Sequence, residues 1–160
     1  MKLKKNKTAV TGLLALVFVL ASLTTGVSQA SAADTVVRTV AKGSVDQVLG
    51  GLKKMVADHG MMVMGELHQG KVLEMTGLKV ESESIFVGNP NMGKKLFEIE
   101  PGAGTVLPVR VNIYKNAEGK TVVAYIPPSQ QLAGFNNPML DQAAAMLDET
   151  LAGMVGMVGK

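Results

Sequence analysis

The sequence VRVNIYKNAEGKTVVAYI, at Val109–Ile126, begins with strict alternation of apolar and polar residues and ends in a run rich in β-branched residues. Both patterns are typical of β-strands. Between them, Asn116 to Gly119 supply the small and polar residues of a hairpin loop. The stretch therefore predicts two adjacent antiparallel strands, Val109–Lys115 and Lys120–Ile126.

Helical patterns lie on both sides of this hairpin. Ser44 and Gln47 form a capping-box pattern in front of an apolar stripe at helical spacing, and Gly60 ends that helix. The stripe consists of Val45, Val48, Leu49, Leu52, Met55 and Val56. Asn137-Pro138 opens a final helix with one apolar side, and the Gly-Met-Val repeats of Gly153–Lys160 predict a frayed end.

The segments between these elements are shorter. Three further strands are predicted at Thr35–Val40, Met61–His68 and Ser84–Val87. Two short helices are predicted at Lys71–Thr76 and from Asn89-Pro90 to Leu96, and loops at Pro101–Gly104 and after Pro127-Pro128. Together the elements predict one α+β domain with helices packed on one face of a largely antiparallel sheet. Its expected core includes Leu49, Leu52, Val63, Val111 and Leu147.

The first 32 residues have the three parts of an export signal. Met1–Lys7 is cationic, Ala9–Leu23 is apolar, and Ala30-Ser31-Ala32 matches a cleavage site. A retained membrane anchor is the alternative, but a spanning helix needs about 20 apolar residues. We therefore expect a signal peptide at 1–32, a single domain at 33–160, and an exported protein, periplasmic or extracellular, without stable membrane insertion after cleavage.

Composition excludes several classes of protein. Apolar residues make up 47% and charged residues 18% of the chain, which is enough apolar material for a core. The net charge is +3, but four lysines lie in the predicted signal peptide, and the rest of the chain is near neutral. A near-neutral surface argues against nucleic acid as a partner. The absence of cysteine excludes disulfides, cysteine-ligated zinc, covalently attached haem and thiol catalysis.

Several short motifs follow one another in a recognisable order. They are GELH at Gly65–His68, VGNPNMGKKL at Val87–Leu96, EPGAGTVLPVRVNIY at Glu100–Tyr114 and NPML at Asn137–Leu140. In this order the sequence resembles domain-of-unknown-function family 302. The resemblance implies helices on a curved antiparallel sheet of the TATA-binding-protein-like class, dimers in many members, and no established activity. Many members have a cysteine directly after the Leu-Pro pair, where this chain has Val109.

One predicted strand carries a row of candidate ligands. Alternate strand residues share a face, so Met62, Met64, Glu66 and His68 are predicted to point the same way. Met62, Met64 and His68 could bind a soft or borderline metal ion such as copper. Alternatively, methionine fills gaps in the core, the carboxylate caps a helix, or a bulge at Gly65 breaks the row. The intervening residues are expected in the core: Met61, Val63, Gly65 and Leu67.

A second candidate surface lies on the hairpin. Arg110, Asn112 and Tyr114 share the polar face of their strand, and an arginine beside an amide and a phenol could bind a carboxylate or phosphate. The alternative is cross-strand pairing on a solvated face. Enzyme motifs such as Gly-x-Ser-x-Gly and the phosphate loop are absent from the sequence.

Three function classes remain. An exported domain that binds a small molecule or protein partner fits best, because the chain has few nucleophiles; Glu66, His68 and Arg110 are its predicted ligand contacts. A soft-metal-handling protein would bring methionine and histidine together, and an enzyme would use Glu66 and His68 as an acid–base pair in a cavity. A protein-interaction domain would instead expose an apolar patch.

Overall fold

The computed structural model describes residues 35–158 of the protein. The predicted signal peptide and its cleavage site lie outside the described residues. No helix within residues 35–158 is both long and apolar enough to cross a membrane.

Five strands and five α-helices make up this part of the chain. The strands are β1 (Val37–Ala41), β2 (Met62–Leu67), β3 (Ser82–Gly88), β4 (Val109–Lys115) and β5 (Thr121–Tyr125). The helices are α1 (Val45–Asp58), α2 (Gln69–Glu74), α3 (Pro90–Ile99), α4 (Pro128–Leu132) and α5 (Pro138–Val158). Short 3-10 helices occupy Pro101–Thr105 and Ala133–Phe135, and the Leu107-Pro108 peptide bond is cis.

The strands form one antiparallel sheet in the order β1-β5-β4-β3-β2. The predicted hairpin is β4 and β5, and Asn116 closes its loop by accepting at its side-chain oxygen from the Lys120 backbone N–H at 2.8 Å. The α+β fold predicted from the sequence is confirmed.

The main core lies between the sheet and helices α1 and α5. Leu52 of α1 and Leu151 and Met154 of α5 pack with the apolar residues of β3, β4 and β5. We call this side of the sheet the helix face. Of the predicted core residues, Leu52, Val111 and Leu147 are buried, while Leu49 and Val63 pack partly buried against them.

The helix starts follow the sequence signals. The Ser44 hydroxyl accepts from the Gln47 backbone N–H, and the Gln47 side chain accepts from the Ser44 backbone N–H, which completes the capping box. The Asn89 side chain accepts from the backbone N–H groups of Asn91 and Met92 at the start of α3. Each cap satisfies backbone donors that have no partner within the helix.

Three local predictions are wrong. The loop expected at Pro101–Gly104 is a 3-10 helix, and the loop expected after Pro127-Pro128 begins with α4. The tail from Gly153 is helical to Val158, with Met154 and Val155 fully buried. The contacts of these two side chains with the core stabilise a helix end that its glycines would weaken.

Candidate functional site

The row of candidate ligands on β2 is interrupted by a β-bulge. Val63 pairs with Val87 and Gly65 pairs with Phe86, so the register shifts across Met64. An extra residue in one strand reverses the side to which the following side chains point. The prediction that Met62, Met64, Glu66 and His68 share one face is therefore wrong, because the bulge divides the set.

Glu66 and His68 follow the bulge and lie on the helix side of the sheet. Glu66 pairs with the buried residue Ile85, and its carboxylate is 2.6 Å from the ammonium nitrogen of Lys53 on α1. His68 places Nδ1 2.6 Å from the Glu83 carboxylate, and the two side chains are 49% and 15% exposed. Glu66 and His68 therefore have different partners and do not form an acid–base pair.

The methionines lie apart from the histidine. Met62 pairs with Gly88 and is half exposed on the face of the sheet opposite α1 and α5, which we call the outer face. The Met64 methyl group would be 3.0 Å from a Cβ atom at Gly88, so the glycine leaves the space that this thioether fills. Leu67 is exposed on the outer face rather than buried, and Gly65 lies there too. Copper binding by Met62, Met64 and His68 stays a prediction, and it would require ligands from both sides of the sheet.

Residues 35–158 contain no group of three or more acidic or histidine side chains that could hold a metal ion. Glu66 and His68 also line none of the three main cavities of these residues. Glu83 borders the largest of these three cavities, a polar cleft of about 610 Å³ that is lined by both acidic and basic side chains.

Arg110 belongs to a polar network around Ser84 on the outer face. Its Nε donates to the Ser84 hydroxyl at 3.1 Å, and Ser84 is only 1% exposed. The Ser84 hydroxyl is also 2.8 Å from the Gln69 side-chain oxygen and 3.2 Å from that of Asn112. Arg110 thus lies on the opposite face from Glu66, and no single site contains both.

An apolar cavity of about 330 Å³ opens beside α3, at the end of the sheet where β3 finishes and β4 begins. Its exposed rim includes Met64, Lys94 and Phe97, and its floor reaches Val109 and Leu147 of the core. The Lys94 ammonium nitrogen is 3.9 Å from the Glu98 carboxylate. Among residues 35–158, Lys94 is the one charged residue that lines the cavity.

Sequence reasoning missed this cavity and the partners Glu83, Ser84 and Gln69. The cavity is formed by residues from β2, α3, α5 and the Leu107–Val109 segment, which lie far apart in the sequence. The serines of the Glu-Ser-Glu-Ser run at 81–84 were a usable signal, because alternation in a strand separates them from the apolar face.

An exposed apolar segment follows β2. Every residue from 71 to 80 is exposed, and α2 has no buried residue. Met75 is 87% exposed. The exposed large apolar side chains of this segment are Val72, Leu73, Met75, Leu78 and Val80. Such a run on the surface is typical of an interaction site.

The sequence matches a known protein family over nearly all of the described residues. The family model for "Domain of unknown function DUF302" matches residues 36–158. The chain belongs to the DUF302 family. The DUF302 fold is shared with a crystal structure of an uncharacterized conserved DUF302 protein from Bacillus stearothermophilus, at 18% identity and a TM-score of 0.73. The match covers 78% of this chain and 98% of that one. No functionally curated protein matches the sequence.

Two of the residue pairs that carry the DUF302 resemblance meet at the apolar cavity. Asn89-Pro90, at the start of α3, and Leu107-Pro108, before β4, both line it. Val109, which directly follows the Leu-Pro pair, is buried in its floor. The cavity is thus the place where separate parts of the family pattern come together.

Proposed function

We propose that the protein is an exported binding domain whose ligand is a small, mostly apolar molecule held in the cavity beside α3. One observation carries the proposal: the cavity of about 330 Å³ is lined almost entirely by apolar side chains and reaches from the surface to the core. Ligand sites in proteins are typically concave, mostly apolar and about 300–1,000 Å³ in volume. The signal-peptide pattern at 1–32 supports export.

The residues that line the cavity indicate which chemical groups the ligand would have. Met64, Phe97 and Pro108 present polarisable or flat surfaces to a ring or short chain. Asn89 uses its side-chain oxygen to cap α3 and its amide nitrogen to donate to the Gly60 carbonyl. Lys94 at the rim is therefore the group that would orient a polar end, in place of Glu66 and Arg110, which do not line this cavity.

Gly93 offers a test of this site. It lines the cavity, and a Cβ atom built on it meets nothing within 4 Å, so the first side-chain carbon of Gly93→Leu fits without a clash. We expect the rest of the leucine to compete with a ligand for space at the cavity wall. Gly50 in α1 is an exposed helical glycine with equally open surroundings, and Gly50→Leu is the matched control. Both changes favour their helices by up to about 1 kcal/mol, so neither should unfold the protein.

The probe is the neutral fluorophore 1-aminoanthracene, whose emission rises in an apolar site. We expect Gly93→Leu to bind it about tenfold more weakly than the wild type does, and Gly50→Leu to bind it unchanged. Equal binding by Gly93→Leu and wild type would refute the proposal. Native mass spectrometry of protein from its host's exported fraction would identify a retained ligand and test export by mass.

Partner binding is a second candidate, favoured by the exposed apolar segment at residues 71–80. The occupant we propose is a second copy of the chain, because β2, which precedes this segment, is an edge strand. Sedimentation of wild type and of the double variant Met75→Ser, Leu78→Ser would test this. A dimer that persists in the double variant, or a wild type that stays monomeric at all concentrations, would contradict it.

A further inference from the structure

Met64 lies where the β-bulge of β2 meets the apolar cavity beside α3. It is the extra residue of the bulge and has no partner in the register with β3. It lines the cavity and is 46% exposed. Its thioether packs beside Gly88, where a Cβ atom would be 3.0 Å from Met64 Cε and 3.2 Å from Sδ. Met64 therefore forms part of the cavity wall and part of the molecular surface.

Methionine supplies all of the sulfur in this protein. The chain has eleven methionines and no cysteine, so no thiol of its own competes for a peroxide. Six methionines of residues 35–158 are exposed, and Met64 is the one among them that lines the apolar cavity. Met92 lines it too, but this side chain is less exposed and packs against the core. An oxidant from solution would therefore change the cavity wall chiefly at Met64.

We infer that Met64 is a modification site: its oxidation to methionine sulfoxide by a peroxide weakens ligand binding in the cavity, and reduction of the sulfoxide restores it. The inference rests on the ligand-binding function proposed above for this cavity.

The oxidation is a two-electron oxygen transfer. Met64 Sδ attacks one oxygen of hydrogen peroxide, and the S–O bond forms as the O–O bond breaks. The sulfur loses two electrons and the peroxide gains them. The departing hydroxide takes the proton from the transferred oxygen and leaves as water, so the products are methionine sulfoxide and water.

The sulfoxide changes the chemistry of the cavity wall. Oxidation converts a flexible apolar side chain into a polar one. The new oxygen accepts hydrogen bonds and holds water at a wall that is otherwise lined almost entirely by apolar side chains. An apolar ligand has to displace this water without replacing its hydrogen bonds, which weakens binding. Reduction returns the thioether and with it the apolar wall.

The test treats the protein with hydrogen peroxide, removes the peroxide with catalase and then titrates 1-aminoanthracene. Peptide mass spectrometry reports which methionines carry the added oxygen. Methionine sulfoxide reductases of both stereospecificities, used with dithiothreitol, then reverse the modification. The chain has no disulfide that dithiothreitol could break.

Met62 provides the matched control. It is two residues from Met64 and 48% exposed, but it does not line the cavity. We expect peroxide to weaken probe binding about tenfold in wild type and in Met62→Leu, and less than about twofold in Met64→Leu. Reductase treatment should restore the wild-type affinity.

Met64→Gln is a second variant, which keeps the test decisive if Met64→Leu does not fold. It places a polar group of similar length at the cavity wall, so we expect about tenfold weaker probe binding without any peroxide. Wild-type affinity in folded Met64→Gln would contradict the inference.

Three further results would overturn the inference and leave the cavity proposal intact. They are unchanged probe binding by wild type after Met64 has been oxidised, an equal loss in Met64→Leu and wild type, and a Met64 that stays unoxidised while Met62 and Met75 gain oxygen. Equal binding by untreated wild type and Gly93→Leu would instead refute the cavity as the ligand site, and this inference with it.

Discussion

The helix face and the outer face of the same five strands differ in both packing and chemistry. On the helix face, Ile85, Val111 and Val123 are fully buried beneath α1 and α5. On the outer face, the neighbouring positions carry Ser84, Asn112 and Arg38, and Val40 is 54% exposed. Alternation along each strand thus places most of the buried apolar side chains on one face and polar side chains on the other.

The largest expected effect comes from truncating one apolar residue on each face of the sheet and comparing the losses of stability. Leu52 on α1 is 1% exposed, so Leu52→Ala should lower the free energy of unfolding by about 2–5 kcal/mol. Val40→Ala on the outer face should cost under about 1 kcal/mol, because the side chain is already half in water. Urea denaturation measures both. Similar losses for the two variants would mean that the outer face is covered by a partner in solution.

The polar network gives a smaller expected effect on the outer face. Ser84→Ala removes the buried hydroxyl that contacts Arg110, Gln69 and Asn112, and should cost about 1–3 kcal/mol. Ser82→Ala is the matched control, since Ser82 contacts Gln69 and Asn112 but not Arg110. If Ser82→Ala is as destabilising as Ser84→Ala, the contact with Arg110 contributes nothing to stability.

The smallest expected effect is a change in stability at alkaline pH, and it distinguishes the two tyrosines of the chain. Tyr125 lies on the helix face, where burial, and secondarily the charge of Asp148, raises the pKa of its hydroxyl above 10.0. The unfolded chain then releases this proton at lower pH than the folded protein does, so stability is complete below pH 10 and falls as the pH rises further.

Tyr125→Phe should therefore lose less stability than wild type between neutral pH and the alkaline range. Tyr114→Phe, on the outer face, retains Tyr125 and should keep the wild-type alkaline loss. Chemical denaturation at several pH values compares the slopes. Identical slopes for wild type and Tyr125→Phe would show that other groups cause the alkaline loss.

The parts of the fold that depend on local patterns were predictable from the sequence. The β4–β5 hairpin, the capping box at Ser44 and the Asn89-Pro90 helix start need only neighbouring residues to form. The end of α5 did not follow from local pattern, because its glycines disfavour a helix and only the burial of Met154 and Val155 in a distant core stabilises it.

The candidate sites depended on longer-range information. That Arg110, Asn112 and Tyr114 share a face followed from alternation, but the contact of Arg110 with Ser84 required the pairing of β3 with β4. The division of Met62 from Glu66 required the bulge, which the strand pattern raised only as an alternative.

The bulge at Met64 also affects how variants along β2 should be interpreted. Before it, the odd-numbered residues Met61 and Val63 face the protein interior, and after it the even-numbered residue Glu66 lies on the helix side. A scan of single substitutions through this strand should therefore show tolerance that alternates residue by residue and changes phase in the middle. Neighbouring substitutions in one six-residue strand would then report on opposite sides of the molecule, and averaging them would erase both signals.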